Sequence, residues 1–396
     1  MDYFGYWQYF DDDFEWDDAG QLVLPDLSLT RRKFAEIGLS DTEIEAFIRS
    51  GYVMAMGDVV IDRFYGGALL SSDSRTRIRV DNFINWYNNS RGEIPVYHAS
   101  SMSDLQKQVD KWGSKYRKPL LFRGQTKQYL LQRERPNPCL QVPGYGEISL
   151  LPSLWRKMQL KHPDSFHDFE NLSTFEWTAV VSDMFDVDEI KRRIDKINSE
   201  GGWIYSAQDM EDCEDPLLKE YGSICLDMNY GHSFNLATSL CTLLQHYGLY
   251  SPVLDLTTDL DVALFFLSHR IEATGTSHSY KFVGDNHRQS VLYVFRQDNT
   301  EMNEHAHHRV MNKLKPLRPV RQSCVICKSA PFALNLAADF LVGIIEIDFD
   351  ITTPGKYLPA DLFPDRSEDN FLAALKRHLL HPEYVSEFRH GGETLE

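Results

Sequence analysis

The sequence has no run of about 18 apolar residues, and it therefore predicts no transmembrane helix. Its first twenty residues also lack the basic and apolar regions of a signal peptide. Cysteine is scarce and irregularly spaced, with 6 residues in 396. This pattern argues against a disulfide framework and favours a reducing, cytoplasmic setting.

The chain contains fewer basic than acidic residues, with 41 Lys and Arg and 58 Asp and Glu, and its net charge is −17. A general nucleic-acid binder is not expected, because neutralising phosphates requires a surplus of Lys and Arg. A local basic groove around Arg133, Arg135, Arg156 and Lys157 stays open as an alternative. The chain lacks the Walker, GxGxxG, HExxH and GxSxG motifs, which argues against nucleotide hydrolases, Rossmann enzymes, zincins and serine hydrolases.

Two regions are predicted, a small accessory region over residues 1–95 and a larger domain over residues 96–396. Residues 1–20 carry seven acidic residues, eight aromatic residues and no basic residue. Two interpretations of this tail stay open: a mobile segment, or a segment whose aromatic rings dock on the domain or on a partner protein. Further along, Ser40 and Glu43 form the capping-box pattern that begins a helix.

Apolar periodicity indicates an α+β protein with a mixed sheet and flanking helices. Helices are predicted over residues 103–112, 233–247, 259–270 and 371–380, with a charged helical insertion around 160–230. Strands are predicted over residues 59–64, 77–80, 120–122, 290–295 and 342–349, with a short one near 254. A doubly wound sheet is not expected, because strands and helices alternate irregularly.

Polar residues interrupt two of these apolar segments at points where the chain turns. The apolar strand ending at Phe122 is followed by Arg123 and Gly124, and Asp255 is followed by Thr257 and Thr258. Burying polar groups without partners costs a few kcal/mol, so these residues predict either a mutually bonded network or a ligand site. The Arg123 guanidinium in particular needs a carboxylate, carbonyl groups or a ligand anion.

Five ordered motifs over roughly residues 95–380 resemble the FRG domain family, named for its Phe-Arg-Gly motif. They are Phe122–Gln125, Leu151–Arg156, Gln245–Leu249, Leu254–Thr258 and Ala263–Phe266, followed by Arg318-Pro319, Gln322 and Leu362-Phe363-Pro364. The chain departs from the family at Tyr250-Ser251-Pro252 and Leu256, where relatives usually have Pro-Thr-Arg and Trp. The resemblance implies a bacterial or phage protein, and a toxin or defence effector is the expected role.

A remoter likeness to ADP-ribosyltransferases implies an ADP-ribosyltransferase-like core and NAD as substrate. Under this likeness Arg123 holds a phosphate of NAD, and Thr257 and Thr258 contact the nicotinamide ribose. Glu346 would stabilise the oxocarbenium charge that develops when the nicotinamide–ribose bond breaks, and Gln322 would orient the substrate. The implied cofactor pocket also contains Gln125, Asp255 and His246. The ADP-ribose acceptor, protein or nucleic acid, is left open.

Alternatives accompany each of these roles. Arg123 and Asp255 could form an internal ion pair needed only for folding. His246 could be a general base or a residue that satisfies a helix C-terminus. Cys324 and Cys327 could bind zinc with His305, His307 and His308, although a single CxxC is a weak signal. A non-catalytic recognition module that binds a nucleotide-like ligand or a protein is the alternative to an enzyme.

Overall fold

The computed structural model describes residues 27–55, 58–62, 67–69, 78–92, 94–117, 119–142, 144–151, 153, 179–230, 243, 245–249, 254–274, 277–283, 288–297, 302–304, 309–327, 340–380 and 382–388. These residues form a mixed α+β structure, as predicted. Among the described residues, no helix has the length and apolar character needed to cross a membrane.

The helices are α1 (Leu27–Glu36), α2 (Asp41–Arg49), α3 (Val80–Asn89), α4 (Met102–Tyr116), α5 (Val187–Ser199), α6 (Ala207–Asp212), α7 (Pro216–Tyr230), α8 (Leu260–Ser268), α9 (Arg309–Leu314), α10 (Leu317–Arg321), α11 (Pro359–Leu362) and α12 (Asn370–His378). Short 3-10 helices occur at Pro138–Leu140 and Pro382–Tyr384.

The strands are β1 (Tyr52–Ala55), β2 (Val59–Asp62), β3 (Gly67–Ala68), β4 (Val96–Ala99), β5 (Leu120–Gln125), β6 (Leu130–Leu131), β7 (Gln141–Val142), β8 (Gly146–Ile148), β9 (Leu256–Thr257), β10 (His269–Thr274), β11 (Ser277–Phe282), β12 (Val291–Arg296), β13 (Met302–Glu304), β14 (Cys324–Cys327), β15 (Leu341–Ile347) and β16 (Glu387–Phe388).

Seven of these strands form a central mixed sheet in the order β13-β14-β9-β5-β12-β15-β4. Neighbouring strands are antiparallel except β15 and β4, which are parallel. One face packs against the small sheet β6-β8-β7, and the other packs against α4 and α8. The predicted mixed sheet with flanking helices is confirmed, and β5 and β9, which carry the polar motifs, lie near its middle.

The chain before β4 has its own hydrophobic core. Rings from α1 to α3 and β1 pack together there, with Phe34 and Phe83 stacked at a centroid distance of 5.2 Å. The capping box of Ser40 and Glu43 begins α2 as predicted. The predicted short strand or edge over 77–80 is reduced to one isolated antiparallel bridge between Arg79 and Val59, because Val80 begins α3. The acidic tail over residues 1–20 lies outside the described residues.

A buried ionic network joins this N-terminal unit to the small sheet. The Arg133 guanidinium donates to both oxygens of Asp62, at 3.0 and 2.7 Å, and to both oxygens of Glu147, at 2.9 and 2.6 Å. All three side chains are at most 3% exposed. Arg133 therefore holds the two units together and is not part of an open basic groove.

The predicted helical insertion is present as α5, α6 and α7, which pack around their own apolar cluster. Ion pairs connect it to the rest of the molecule, with Asp183 bound by Arg377 and Glu220 bound by Lys313. The first part of the predicted insertion, up to residue 178, lies outside the described residues.

Two predictions near the polar motifs need revision. Strand β5 does not stop at Phe122 but continues through Arg123 and Gly124 to Gln125, paired with β12 along its whole length. The apolar pattern ended early because polar residues occupy the last half of the strand. The predicted helix over 233–247 lies largely outside the described residues, although residues 245–246 are helical.

Candidate functional site

A cavity of about 250 Å³ lies where β5, β9 and the end of the chain meet. Its walls combine charged or polar groups with aromatic rings. They include Phe122, Arg123, Gly124, Gln245, His246, Gly248, Asp255, Leu256, Thr257, Val262, Phe266, Ile271, Tyr280, Gln322, Cys324, Phe363, Ser386 and Phe388. We call it the Arg123 cavity. It brings together five residues that the sequence analysis proposed for a site: Arg123, His246, Asp255, Thr257 and Gln322.

Arg123 is held in place by Asp255. One guanidinium nitrogen, Nη1, donates to the Asp255 carboxylate at 2.6 Å and to its backbone carbonyl at 2.8 Å. The predicted ion pair is therefore present. The Arg123 side chain stays 19% exposed, and its buried Nε atom has no hydrogen-bond partner within the described part of the chain. Arg123 is thus held by Asp255 while part of its side chain still faces the cavity.

Asp255 stays ionised in this setting. Burial raises its pKa, but the positive charge of Arg123, the interaction with the nearby His246 ring and the hydrogen bond from Arg123 outweigh burial and hold the pKa below its usual value. His246 is buried in the cavity wall, and its backbone carbonyl accepts a bond from Arg318. A negative and a positive group therefore lie side by side at the base of the cavity.

Gly124 serves helix packing. A Cβ atom at this position would lie 1.9 Å from the carbonyl oxygen of Ala263 in α8. Its φ is not in the left-handed region, so Gly124 does not form a turn that only glycine could adopt. The glycine lets α8 approach β5 closely and thereby positions Arg123 beside the cavity.

Thr257 and Gln322 line the cavity but use their polar groups internally. The Thr257 hydroxyl donates to the backbone carbonyl of Gln322 at 2.8 Å and accepts from the amide of Asp259 at 3.0 Å. The side-chain amide of Gln322 donates to Leu362. Thr258 is exposed and is not part of the cavity wall. These residues shape the cavity, and their described bonds leave the Thr257 hydroxyl little capacity for a ligand.

Glu346 does not line the Arg123 cavity. It lies on β15, two strands away from β5, accepts a hydrogen bond from the Tyr145 hydroxyl at 3.0 Å and lies 3.0 Å from Nδ1 of His98. Gln125 is in register with Glu346 through Val291, so their backbones are about 10 Å apart. Gln125 is also outside the cavity wall. The arrangement of Arg123 and Glu346 around one pocket is therefore not observed.

Sequence reasoning missed the aromatic half of the cavity. Tyr280 stacks on Phe363 at 4.7 Å and on Phe388 at 5.2 Å. Burial, together with the charge of Asp255, raises the pKa of Tyr280, so its hydroxyl stays protonated. Phe363 belongs to the Leu-Phe-Pro motif on which the family resemblance partly rests. The stacking of the three rings was not predicted, because it depends on the pairing of β11 with β16, which are far apart in sequence.

Behind this wall lies a fully buried arginine. Arg318 donates to the carbonyls of His246 at 3.2 Å and Ser386 at 2.8 Å, between the rings of Tyr247 and Phe388. Burial lowers the pKa of Arg318. The Tyr247 hydroxyl in turn donates to Asp369 at 2.5 Å. This buried network, which sequence reasoning did not identify, fixes the position of His246 and adds positive charge behind the cavity.

The proposed zinc site lies largely outside the described residues. Cys324 is buried in the cavity wall, where burial, with Asp255 nearby, raises its pKa and keeps the thiol protonated. His305, His307 and His308 lie outside the described residues. Within the described ranges, no group of three or more His, Cys, Asp or Glu residues has metal-site geometry.

Comparisons of the chain with known protein families, with curated proteins and with solved structures found no match. What the cavity can bind therefore follows from its own residues. The Arg123 guanidinium suits an anion, and the stacked rings suit a planar apolar group.

Proposed function

We propose that the Arg123 cavity is the binding site of a nucleotide-like ligand, within an FRG-like domain. The observation that carries the proposal is the position of Arg123, which Asp255 holds at 2.6 Å in the cavity wall while the side chain stays 19% exposed. A phosphate or carboxylate on Arg123 would leave a base or nicotinamide ring to pack against Phe266, Tyr280 and Phe363.

The size of the cavity favours a mononucleotide or one half of a dinucleotide. Its volume of about 250 Å³ lies just below the range of roughly 300–1,000 Å³ that is usual for small-molecule pockets. Half of NAD fits this space better than the whole molecule, so NAD would enter by one end. ADP-ribose and AMP are suitable comparison ligands, because each contains a phosphate group that is also present in NAD.

Cleavage of NAD is the second candidate function, and Asp255 is the observation that favours it. Asp255 is the ionised carboxylate inside the cavity, whereas Glu346 is outside it. In this candidate an ADP-ribosyltransferase-like core stabilises the oxocarbenium charge with Asp255, and the acceptor is water, a protein or a nucleic acid. The ion pair with Arg123 weakens that role, which is why ligand recognition ranks first.

Calorimetric titration with NAD, ADP-ribose, AMP and nicotinamide mononucleotide tests the binding proposal. Ile271 is 48% exposed and lines the cavity, so Ile271→Trp should fill the opening without disturbing the core. Glu272→Trp on the same strand is the matched control, because Glu272 is exposed and is not part of the wall. We expect binding that Ile271→Trp abolishes and Glu272→Trp preserves. Equal binding by both variants, or none by the wild type, would refute the proposal.

Release of nicotinamide from labelled NAD separates the two candidates. If the protein cleaves NAD, the wild type should release nicotinamide. The rate of release should fall at least about 100-fold in Asp255→Asn, because that variant loses a preorganised negative charge. Binding without release supports the recognition module alone.

A further inference from the structure

Two large aromatic side chains protrude from the helical insertion, far in sequence from the Arg123 cavity. Trp203 is 77% exposed and Tyr205 is 69% exposed, and their rings lie 4.5 Å apart at an angle of 60°. Tryptophan is usually well buried, and Trp and Tyr are the residue types most enriched at the centres of protein interfaces. We refer to Trp203 and Tyr205 as the aromatic pair.

The backbone that carries the aromatic pair is firmly held. Ile204, between the two rings, is 5% exposed and is anchored in the core of the insertion. Asn198 fixes it from both sides, since its side chain donates to the Ile204 carbonyl at 3.0 Å and accepts from the Ile204 amide at 2.8 Å. Asp209 accepts from the amides of Tyr205 at 3.0 Å and Ser206 at 2.8 Å.

Two glycines bring the chain into this position. Gly201 has a φ of +91°, and a Cβ atom on Gly202 would lie 2.5 Å from Ile197. The turn after α5 is therefore tight and specific, not a loose loop. A rigid platform that presents two aromatic rings to solvent binds a partner at a low entropic cost.

The charge around the pair identifies the kind of partner. Residues 200–215 contain six acidic residues and no basic residue. Asp215 is paired with Arg193 of α5, whereas Glu200, Asp212 and Glu214 are exposed. An anionic membrane or a nucleic acid would be repelled here, whereas a cation would be attracted to the carboxylates and to the ring faces.

We propose that the aromatic pair is a docking site for a basic, arginine-containing segment of a protein partner. An arginine side chain stacks on the rings of Trp203 and Tyr205, because the planar guanidinium offers both cation–π attraction and a flat face. The exposed carboxylates of Glu200, Asp212 and Glu214 bind further basic residues of the same segment.

Fluorescence anisotropy with a labelled peptide of four Gly-Arg repeats tests the proposal on the full chain. Peptides of four Gly-Lys and four Gly-Glu repeats are the charge controls. The Gly-Arg peptide should bind tightest and the Gly-Glu peptide should not bind. Affinity should fall between about 0.01 M and about 0.15 M ionic strength, over which the Debye length shortens from about 30 Å to about 8 Å.

Substitutions test whether the Gly-Arg peptide binds at the aromatic pair. The double variant Trp203→Ala with Tyr205→Ala should bind the Gly-Arg peptide at least about tenfold more weakly than wild type. Tyr129→Ala is the control, because it removes an aromatic side chain that is 45% exposed but lies outside the insertion. Its affinity should stay within about twofold of wild type. Glu200→Gln with Glu214→Gln should reduce the salt dependence. Unchanged affinity in the aromatic double variant, or equal binding of the Gly-Glu peptide, would overturn the proposal.

Discussion

Arg123 and Gly124 are neighbours in β5 that act on opposite sides of the sheet. Arg123 reaches the cavity and Asp255, whereas Gly124 touches the backbone of α8. Both needs are visible in the sequence as an arginine at the edge of an apolar strand and a glycine beside it. The partner of the glycine could not be identified from the sequence, because it is a helix more than 130 residues away.

Replacing Gly124 by alanine should destabilise the protein by at least about 2 kcal/mol, since a well-packed backbone must move to accept the new Cβ. Urea denaturation measures this loss. Gly355→Ala is the matched control, because a Cβ atom there meets no atom within 4 Å. Similar stability of the two variants would show that α8 can shift freely.

The lowered pKa of Asp255 predicts how the stability of the protein depends on pH. Its pKa is lowered in the folded state, so its stabilising contribution is fully present above the ordinary aspartate pKa of about 3.9 and is lost as pH falls through the lower folded value. Wild type should therefore exceed Asp255→Asn in stability by a constant amount above about pH 5. The difference in the free energy of unfolding between wild type and Asp255→Asn should become smaller in more acidic buffers. A gap that widened toward low pH would contradict the lowered pKa.

Among the elements, those with a local signal were predicted well. Helix α8 begins at Leu260, one residue after the predicted start, because the carboxylate of Asp259 caps it by accepting from the Asp261 amide at 2.8 Å. The predicted end at residue 270 is wrong, because β10 begins at His269. The order of strands in the central sheet was not predictable from periodicity, since pairing joins segments far apart in sequence. For that reason Glu346 could be assigned to a strand but not to a cavity, and β12 separates it from β5.

Replacing Asp259 by alanine tests the start of α8. Its carboxylate also accepts from the hydroxyl of Tyr357 at 2.7 Å, so the change removes a helix cap and a tertiary bond together. We expect a loss of about 1–2 kcal/mol in the free energy of unfolding. Asp261→Ala, in the first turn of the same helix, should lose less than about 1 kcal/mol. Equal losses would mean that the cap is not what stabilises the helix.

At the scale of the whole molecule, the N-terminal unit is joined to the domain by Arg133. Breaking this buried network leaves uncompensated charges on Asp62 and Glu147, which costs about 3–5 kcal/mol. Arg133→Met should therefore destabilise the protein by that amount and separate the unfolding of the two units in calorimetry. Arg49→Met removes an exposed ion pair with Glu134 and should cost less than about 1 kcal/mol. A single, unshifted transition in Arg133→Met would contradict this account.

The central claim is that Arg123 serves a ligand in addition to its ion pair with Asp255. The double variant Arg123→Met with Asp255→Leu removes both charges and replaces them with apolar side chains, which often leaves stability unchanged. Calorimetric titration of this variant with ADP-ribose is the most direct test. If Arg123 serves a ligand, this variant should keep near-wild-type stability while its affinity for ADP-ribose falls at least about tenfold. Wild-type affinity in the folded double variant would show that the Arg123–Asp255 pair is structural only.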